Sequence, residues 1–106
     1  MDRVALLGWS SESGSVGYAR SFRERWRGLK GMPEGSAILM KTRSVHGFGV
    51  KAPFRAIGLT NTFEVVKTRE VKPWRVVNFP GCRYVLELPI AVEPPLTGET
   101  LEMRSV

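Results

Sequence analysis

An alternating stretch in the C-terminal half, residues 84–89 (YVLELP), most constrains the fold that this chain can adopt. Tyr84, Leu86 and Leu88 lie two residues apart, so their side chains share one face of an extended strand. Pro89 ends the run because it has no N–H to donate to a neighbouring strand. The stretch therefore predicts a central β-strand with the hydrophobic core on the side of Tyr84, Leu86 and Leu88.

Shorter apolar runs separated by turn residues predict several further strands. Residues 56–59 and 63–67 flank Thr60-Asn61-Thr62, which is typical of a β-hairpin. The other candidate strands lie at residues 4–7, 17–20, 37–40 and 72–77, and residues 100–103 are a last short strand or a frayed tail. Together these runs predict a mainly β fold, a small antiparallel β sandwich, a jelly-roll-like domain or a barrel, with one short helix.

The helix signal begins at Ser21. Ser21 and Glu24 form an S-x-x-E capping box, and Phe22, Trp26 and Leu29 then share one helical face. A helix of about two turns is marginal alone, so we expect Phe22 and Trp26 to pack against a sheet. The remaining surface of this helix is basic and carries Arg20, Arg23, Arg25, Arg27 and Lys30.

The length of 106 residues predicts a single domain, residues 1–106. No apolar run approaches the roughly 18 residues that span a bilayer. The first residues do not resemble a secretory signal, so we expect a cytoplasmic protein without a membrane partner. The single cysteine, Cys82, excludes an internal disulfide and fits a reducing compartment.

The charge of the chain is unevenly distributed along its length. Residues 1–83 carry 15 Lys or Arg and 6 Asp or Glu, a net charge of +9, whereas residues 84–106 have a net charge of −3. Such an excess can attract nucleic acid or another anionic surface. A solvated basic surface is the simpler explanation, so the charge alone assigns no partner.

Three segments, taken in order, resemble one known family. They are ERWRGL at 24–29, RSVHGFGV at 43–50, and the stretch from PWR at 73–75 to VLELP at 85–89. The chain resembles the uncharacterised bacterial and archaeal family catalogued as domain of unknown function 192, over about residues 18 to 103. The resemblance implies a small β-sandwich or jelly-roll-like domain and no settled activity.

The chain departs from that family's pattern at its acidic positions. Where the family branch reads I-D-V-x-F-L-D, this chain reads FRAIGLT, so Arg55 and Thr60 replace the two acids. Ala91 stands where the family usually has glycine, and Glu99 stands where it usually has aspartate. The resemblance therefore identifies a diverged member that lacks most of the acidic groups available for chemistry or metal binding.

Reactive groups are scarce in this sequence, which contains one histidine and one cysteine. A general base such as His46 is commonly oriented by a carboxylate, and the nearest family acid is replaced here by Arg55. One histidine and one cysteine cannot supply the usual zinc ligands. We expect a structural or hydrogen-bonding role for His46 and a filler role for Cys82. The sequence thus predicts no catalytic residue, no metal and no cofactor, and it disfavours an enzyme.

The best candidate binding surface lies where residues 44–53 meet residues 73–75. Its speculative ligand-binding residues are His46, Phe48, Arg55, Trp74 and Arg75. Trp74 and Arg75 can stack a ring and hold an anion, although the simplest expectation for Trp74 is a place in the core. We predict a non-catalytic binding or accessory module for an unknown ligand, for example an anionic small molecule. The alternative is nucleic-acid binding through the basic helix and the surface of His46, Trp74 and Arg75.

Overall fold

The structure, a computed structural model, describes residues 2–8, 15–19 and 37–105, and the regular elements in these ranges are all β-strands. The strands are β1 (Asp2–Leu7), β2 (Ser15–Ala19), β3 (Ile38–Met40), β4 (Ser44–His46), β5 (Phe54–Leu59), β6 (Val65–Val71), β7 (Val76–Asn78), β8 (Tyr84–Pro89) and β9 (Glu102–Ser105). The prediction of a mainly β fold is confirmed. The predicted helix at residues 21–30 lies outside the described residues.

Seven of the strands form one large sheet in the order β6-β5-β8-β3-β2-β1-β9. Its neighbouring strands run antiparallel except for β2 and β3, which are parallel. β4 and β7 form a separate antiparallel pair, which we call the small sheet. Because β8 pairs with β5 on one side and β3 on the other, residues 84–89 form an interior strand, as the sequence predicted.

The large sheet buries apolar side chains on both of its faces. On one face Leu86 and Leu88 belong to a first core, which Tyr84 packs against, on the side that the alternation predicts. On the other face Val85 belongs to a second core. Val85, Leu86, Glu87 and Leu88 are consequently all buried, because layers cover both sides of the strand.

The two edge strands of the large sheet are joined at one end by the residues that precede β9. The Val65 N–H donates to the Glu99 carbonyl at 2.8 Å, and the Leu101 N–H donates to the Phe63 carbonyl at 2.9 Å. These hydrogen bonds link the free edge of β6 to the segment that enters β9, so the sheet curls around the first core. The arrangement agrees with the predicted small sandwich or barrel.

The small sheet covers part of the second core and is held there by Val45 and Phe79, both buried. The Phe79 N–H donates to the Arg43 carbonyl at 2.6 Å, which extends the pairing of β4 with β7. Gly58 in β5 makes room for this contact, since a Cβ there would lie 2.7 Å from both the Phe79 ring and the Cys82 Sγ. The small sheet is therefore packed closely against the large sheet. The turns of the small sheet contain the candidate site.

Candidate functional site

Two turns of the small sheet meet at the predicted surface. The first follows β4 and begins at Gly47, and the second, residues 72–75, leads into β7. The Gly47 N–H donates to the Arg75 carbonyl at 2.8 Å, and the Trp74 N–H donates to the Gly47 carbonyl at 2.9 Å. These reciprocal hydrogen bonds fix the two turns side by side, so residues 44–53 meet residues 73–75.

Glycine is required at position 47 because the two backbones approach so closely there. A Cβ on Gly47 would overlap the Lys72 carbonyl oxygen and lie 3.1 Å from its carbonyl carbon and 3.2 Å from the Pro73 Cα. All three atoms belong to backbone, which cannot move aside by a rotamer change. The turns can therefore keep this contact only without a side chain at position 47.

Three rings lie in a row along the two turns, and we call His46, Phe48 and Trp74 the aromatic surface. The Phe48 ring centroid lies 5.0 Å from that of His46 and 5.8 Å from that of Trp74. Both distances are in the usual range for contacting aromatic side chains, and the ring planes are inclined by 32° and 30°. Trp74 is 70% exposed, so the expectation that it fills the core is wrong.

His46 has a defined hydrogen-bonding role in this surface. Its Nδ1 accepts the Phe48 backbone N–H at 3.2 Å. The Nδ1 lone pair is used in this bond, so the neutral ring carries its hydrogen on Nε2. His46 consequently orients the turn that presents Phe48, in keeping with the structural role expected from the sequence.

Trp74 has a left-handed backbone conformation, with φ of 65°. This conformation costs an L-residue about 1–2 kcal/mol. Phe63 shares it, with φ of 66°, but its ring stacks on Tyr84 at 4.5 Å and packs against the first core. The largely exposed Trp74 has no comparable burial to offset the cost. An exposed aromatic residue held in a strained conformation favours a role in recognition.

Substitution of Trp74 tests whether its backbone is strained. We expect Trp74→Gly to be more stable than Trp74→Ala by roughly 1 kcal/mol, because glycine adopts a positive φ without steric cost. Both variants lose the contact with Phe48, so the comparison isolates the backbone term. Urea denaturation of the two proteins measures it, and equal stabilities would show that position 74 is unstrained.

The two candidate arginines lie in different places. Arg75 follows Trp74 in the second turn and its side chain is exposed. Arg55 pairs in register with Leu88 of the first core, and its Nη1 donates to the Val92 carbonyl at 3.2 Å. The structure therefore places Arg75 in the same turn as Trp74 and Arg55 on the opposite face of the large sheet. The basic helix residues Arg20, Arg23, Arg25, Arg27 and Lys30 lie outside the described residues.

Cys82 is a free, buried thiol in the second core. Burial raises the pKa of the Cys82 thiol, and the positive charge of Lys67 offsets part of that rise. The thiol form is therefore favoured over the nucleophilic thiolate, which fits a filler role. Within residues 2–8, 15–19 and 37–105, no group of three or more His, Cys, Asp or Glu is placed to hold a metal ion.

The sequence contains one local feature of this site that the overall composition does not reveal, which is the absence of acidic residues. Residues 41–53 and 72–83, which carry the small sheet and both turns, contain six lysines or arginines and no aspartate or glutamate. Lys72 and Arg75 in the second turn are exposed, as is Lys51 in the segment after the first turn. The two segments that carry the aromatic surface consequently have only positive formal charges.

Sequence comparison finds a relative of this chain in an archaeon. A UPF0127 protein of Thermococcus sibiricus is 32% identical over 96 residues, which cover 82% of this chain. The chain resembles an uncharacterised conserved family. It spans 62% of the length of that relative. No family model matches the chain.

Two crystal structures share the fold. A protein of unknown function from Novosphingobium aromaticivorans DSM 12444 has a TM-score of 0.70 at 17% identity, and covers 94% of this chain and 83% of its own. A protein described as a candidate transcription regulator, from Sinorhizobium meliloti 1021, has a TM-score of 0.67 at 20% identity, with coverages of 96% and 92%. At these identities the likeness shows the fold alone. In the described ranges, the structure contains no helix with the length and apolar character needed to cross a bilayer.

Proposed function

We propose that this chain is a non-catalytic binding or accessory domain whose site is the aromatic surface together with Arg75. The observation that carries the proposal is Trp74, which is 70% exposed and has a positive φ, while its ring stacks on Phe48. Protein folding alone gains little from such a residue, because its apolar area stays in water. Contact with a ligand would explain why an exposed ring is held in a strained backbone conformation.

The arrangement of the reactive groups supports binding rather than catalysis. The Nδ1 atom of His46 accepts a backbone N–H, and Cys82 is buried in the second core with a raised thiol pKa. A nucleophile needs an adjacent base and an accessible reacting atom. Neither Nδ1 of His46 nor the Cys82 thiol is placed for that role.

We further propose that the chain is a diverged member of the domain of unknown function 192 family, a single domain over residues 1–106, and cytoplasmic. The three matching segments support the family assignment, since two of them meet in space. Residues 43–50 and 73–75 form the touching turns, and residues 85–89 lie in the interior strand β8. The segments that resemble the family thus include those that build the candidate site.

Titration of small-molecule libraries, followed by ¹H–¹⁵N NMR, tests the site. We expect ligands to shift the amide signals of residues 46–49 and 73–76. Trp74→Ala and Arg75→Gln should each lower the ligand affinity about 10-fold, because they remove a stacked ring and a charged hydrogen bond. Arg104→Gln on β9 is the matched control. A ligand whose affinity ignores His46→Ala, Trp74→Ala and Arg75→Gln would move the site elsewhere.

Nucleic-acid binding through the basic helix stays a prediction, since its residues lie outside the described ranges. It requires that Arg23→Gln and Arg27→Gln weaken nucleic-acid binding, whereas binding at the aromatic surface without the helix is unaffected by these two changes. Variants of the basic helix therefore separate the alternative from the proposal.

A further inference from the structure

We propose that the aromatic surface binds single-stranded nucleic acid, with bases stacked on Trp74 and phosphates held by the cations of the two turns. This inference rests on the proposed function and names the class of its ligand. It follows from two observations, the exposed Trp74 ring beside the half-buried rings of Phe48 and His46, and the absence of acidic residues from residues 41–53 and 72–83.

The rings provide a place for bases to stack. One side of the Trp74 ring contacts Phe48, and most of its remaining surface is open to solvent. Val76, which is 55% exposed, lies opposite His46 in the small sheet and extends the apolar area. Proteins that bind single strands stack successive bases on such aromatic side chains, whichever base is present.

The charges around the rings match a phosphate backbone. Lys51 lies in the segment after the first turn, and Lys72 and Arg75 lie in the second turn, all three with exposed side chains. Single-strand sites combine stacking rings with a basic track that follows the backbone, and the small sheet carries both. On β9, in contrast, Arg104 is paired with Glu102 at 2.9 Å. The unbalanced positive charge thus accompanies the rings.

The same features argue against a duplex or a protein as the occupant. Bases in a duplex are already stacked on each other, so their faces are not available to Trp74. Centres of protein interfaces are depleted in charged residues, lysine among them, whereas Lys51 and Lys72 are exposed on the segments that carry these rings. A single strand uses both the rings and the charges.

Fluorescence anisotropy with labelled 12-nucleotide single strands of DNA and of RNA, at about 50 mM salt, tests the proposal. We expect single strands to bind more tightly than the matching duplex. Trp74→Ala should weaken binding about 10-fold or more, and Trp74→Phe should retain most of the affinity. Arg75→Gln should reduce the slope of log K against log salt by about 0.7, the value for one phosphate contact on a single strand, whereas Trp74→Ala should leave the slope unchanged.

Arg104→Gln removes one positive charge outside the surface and should alter neither the affinity nor the slope. Absence of single-strand binding at about 50 mM salt would overturn the inference, while the NMR titration still decides the proposed site. Binding that ignores Trp74→Ala, or that favours the duplex, would also overturn it. So would self-association of the wild type that Trp74→Ala abolishes, because a second copy would then cover the rings. Thermal unfolding of each variant verifies that the fold is intact.

Discussion

Replacing Phe79 by alanine is expected to lower the free energy of unfolding by about 3–5 kcal/mol. Phe79 is fully buried in the second core and lies between the small sheet and Gly58 of the large sheet. Its removal leaves a cavity under β7 that the closely packed neighbours cannot fill. Because a domain of this kind is typically stable by only about 5–15 kcal/mol, the loss is large and measurable by urea denaturation.

Two further variants define what Phe79 does. Phe79→Leu keeps part of the buried volume and should cost clearly less than Phe79→Ala. Leu86→Ala removes a side chain of the first core and should lower stability by about 2–5 kcal/mol. Of the two alanine variants, only Phe79→Ala should shift the amide signals of residues 46–49, since Phe79 supports the small sheet. A loss below about 1 kcal/mol for Phe79→Ala would contradict the packing described.

The second large effect is expected from Gly47→Ala. The new methyl group would overlap the backbone carbonyl of Lys72, which cannot move aside by a rotamer change. Overpacking usually lowers the free energy of unfolding by about 1–3 kcal/mol, and we expect about 3 kcal/mol here. Separation of the turns would also break the hydrogen bonds that join Gly47 to Trp74 and Arg75. Ligand binding at the aromatic surface should therefore be lost together with stability.

Gly98→Ala is the matched control for this substitution. Gly98 has φ of 96° and no atom within 4 Å of an added Cβ, so alanine there is penalised by its conformation and not by overlap. We expect about 1 kcal/mol for Gly98→Ala, with ligand binding unchanged. Equal losses for the two variants, or a Gly47→Ala protein that keeps its affinity, would show that the turns tolerate separation.

Much of the fold was predictable because local patterns specify local structure. The alternation in residues 84–89 predicts β8 and its first-core side, and the turn residues between β5 and β6 predict their hairpin. The second face of β8 was not predictable, since Val85 looks like an outward position until β4 and β7 pack against the core that it joins. Alternation indicates which residues share a face but not how many faces are covered.

In the candidate site, too, some features were predictable from the sequence and others depended on tertiary packing. Its segments, residues 44–53 and 73–75, could be singled out as the non-aliphatic segments that the family resemblance retains. The exposure of Trp74 and the separation of Arg55 could not, because each depends on which backbone packs against which. The residues next to Gly47 in the sequence do not indicate its role, which is to allow close contact between two turns that are distant in sequence.

By itself the sequence determined the approximate positions of most strands, which side chains share a face, and how few reactive groups are present. These properties follow from bonded geometry and composition, which act over a few residues. Only the tertiary structure decided the parallel pairing of β2 with β3, the burial of both faces of β8, and the close approach of Gly47 to the Lys72 backbone. Those features arise from contacts between residues distant in sequence, whose energies depend on the packing of the whole domain.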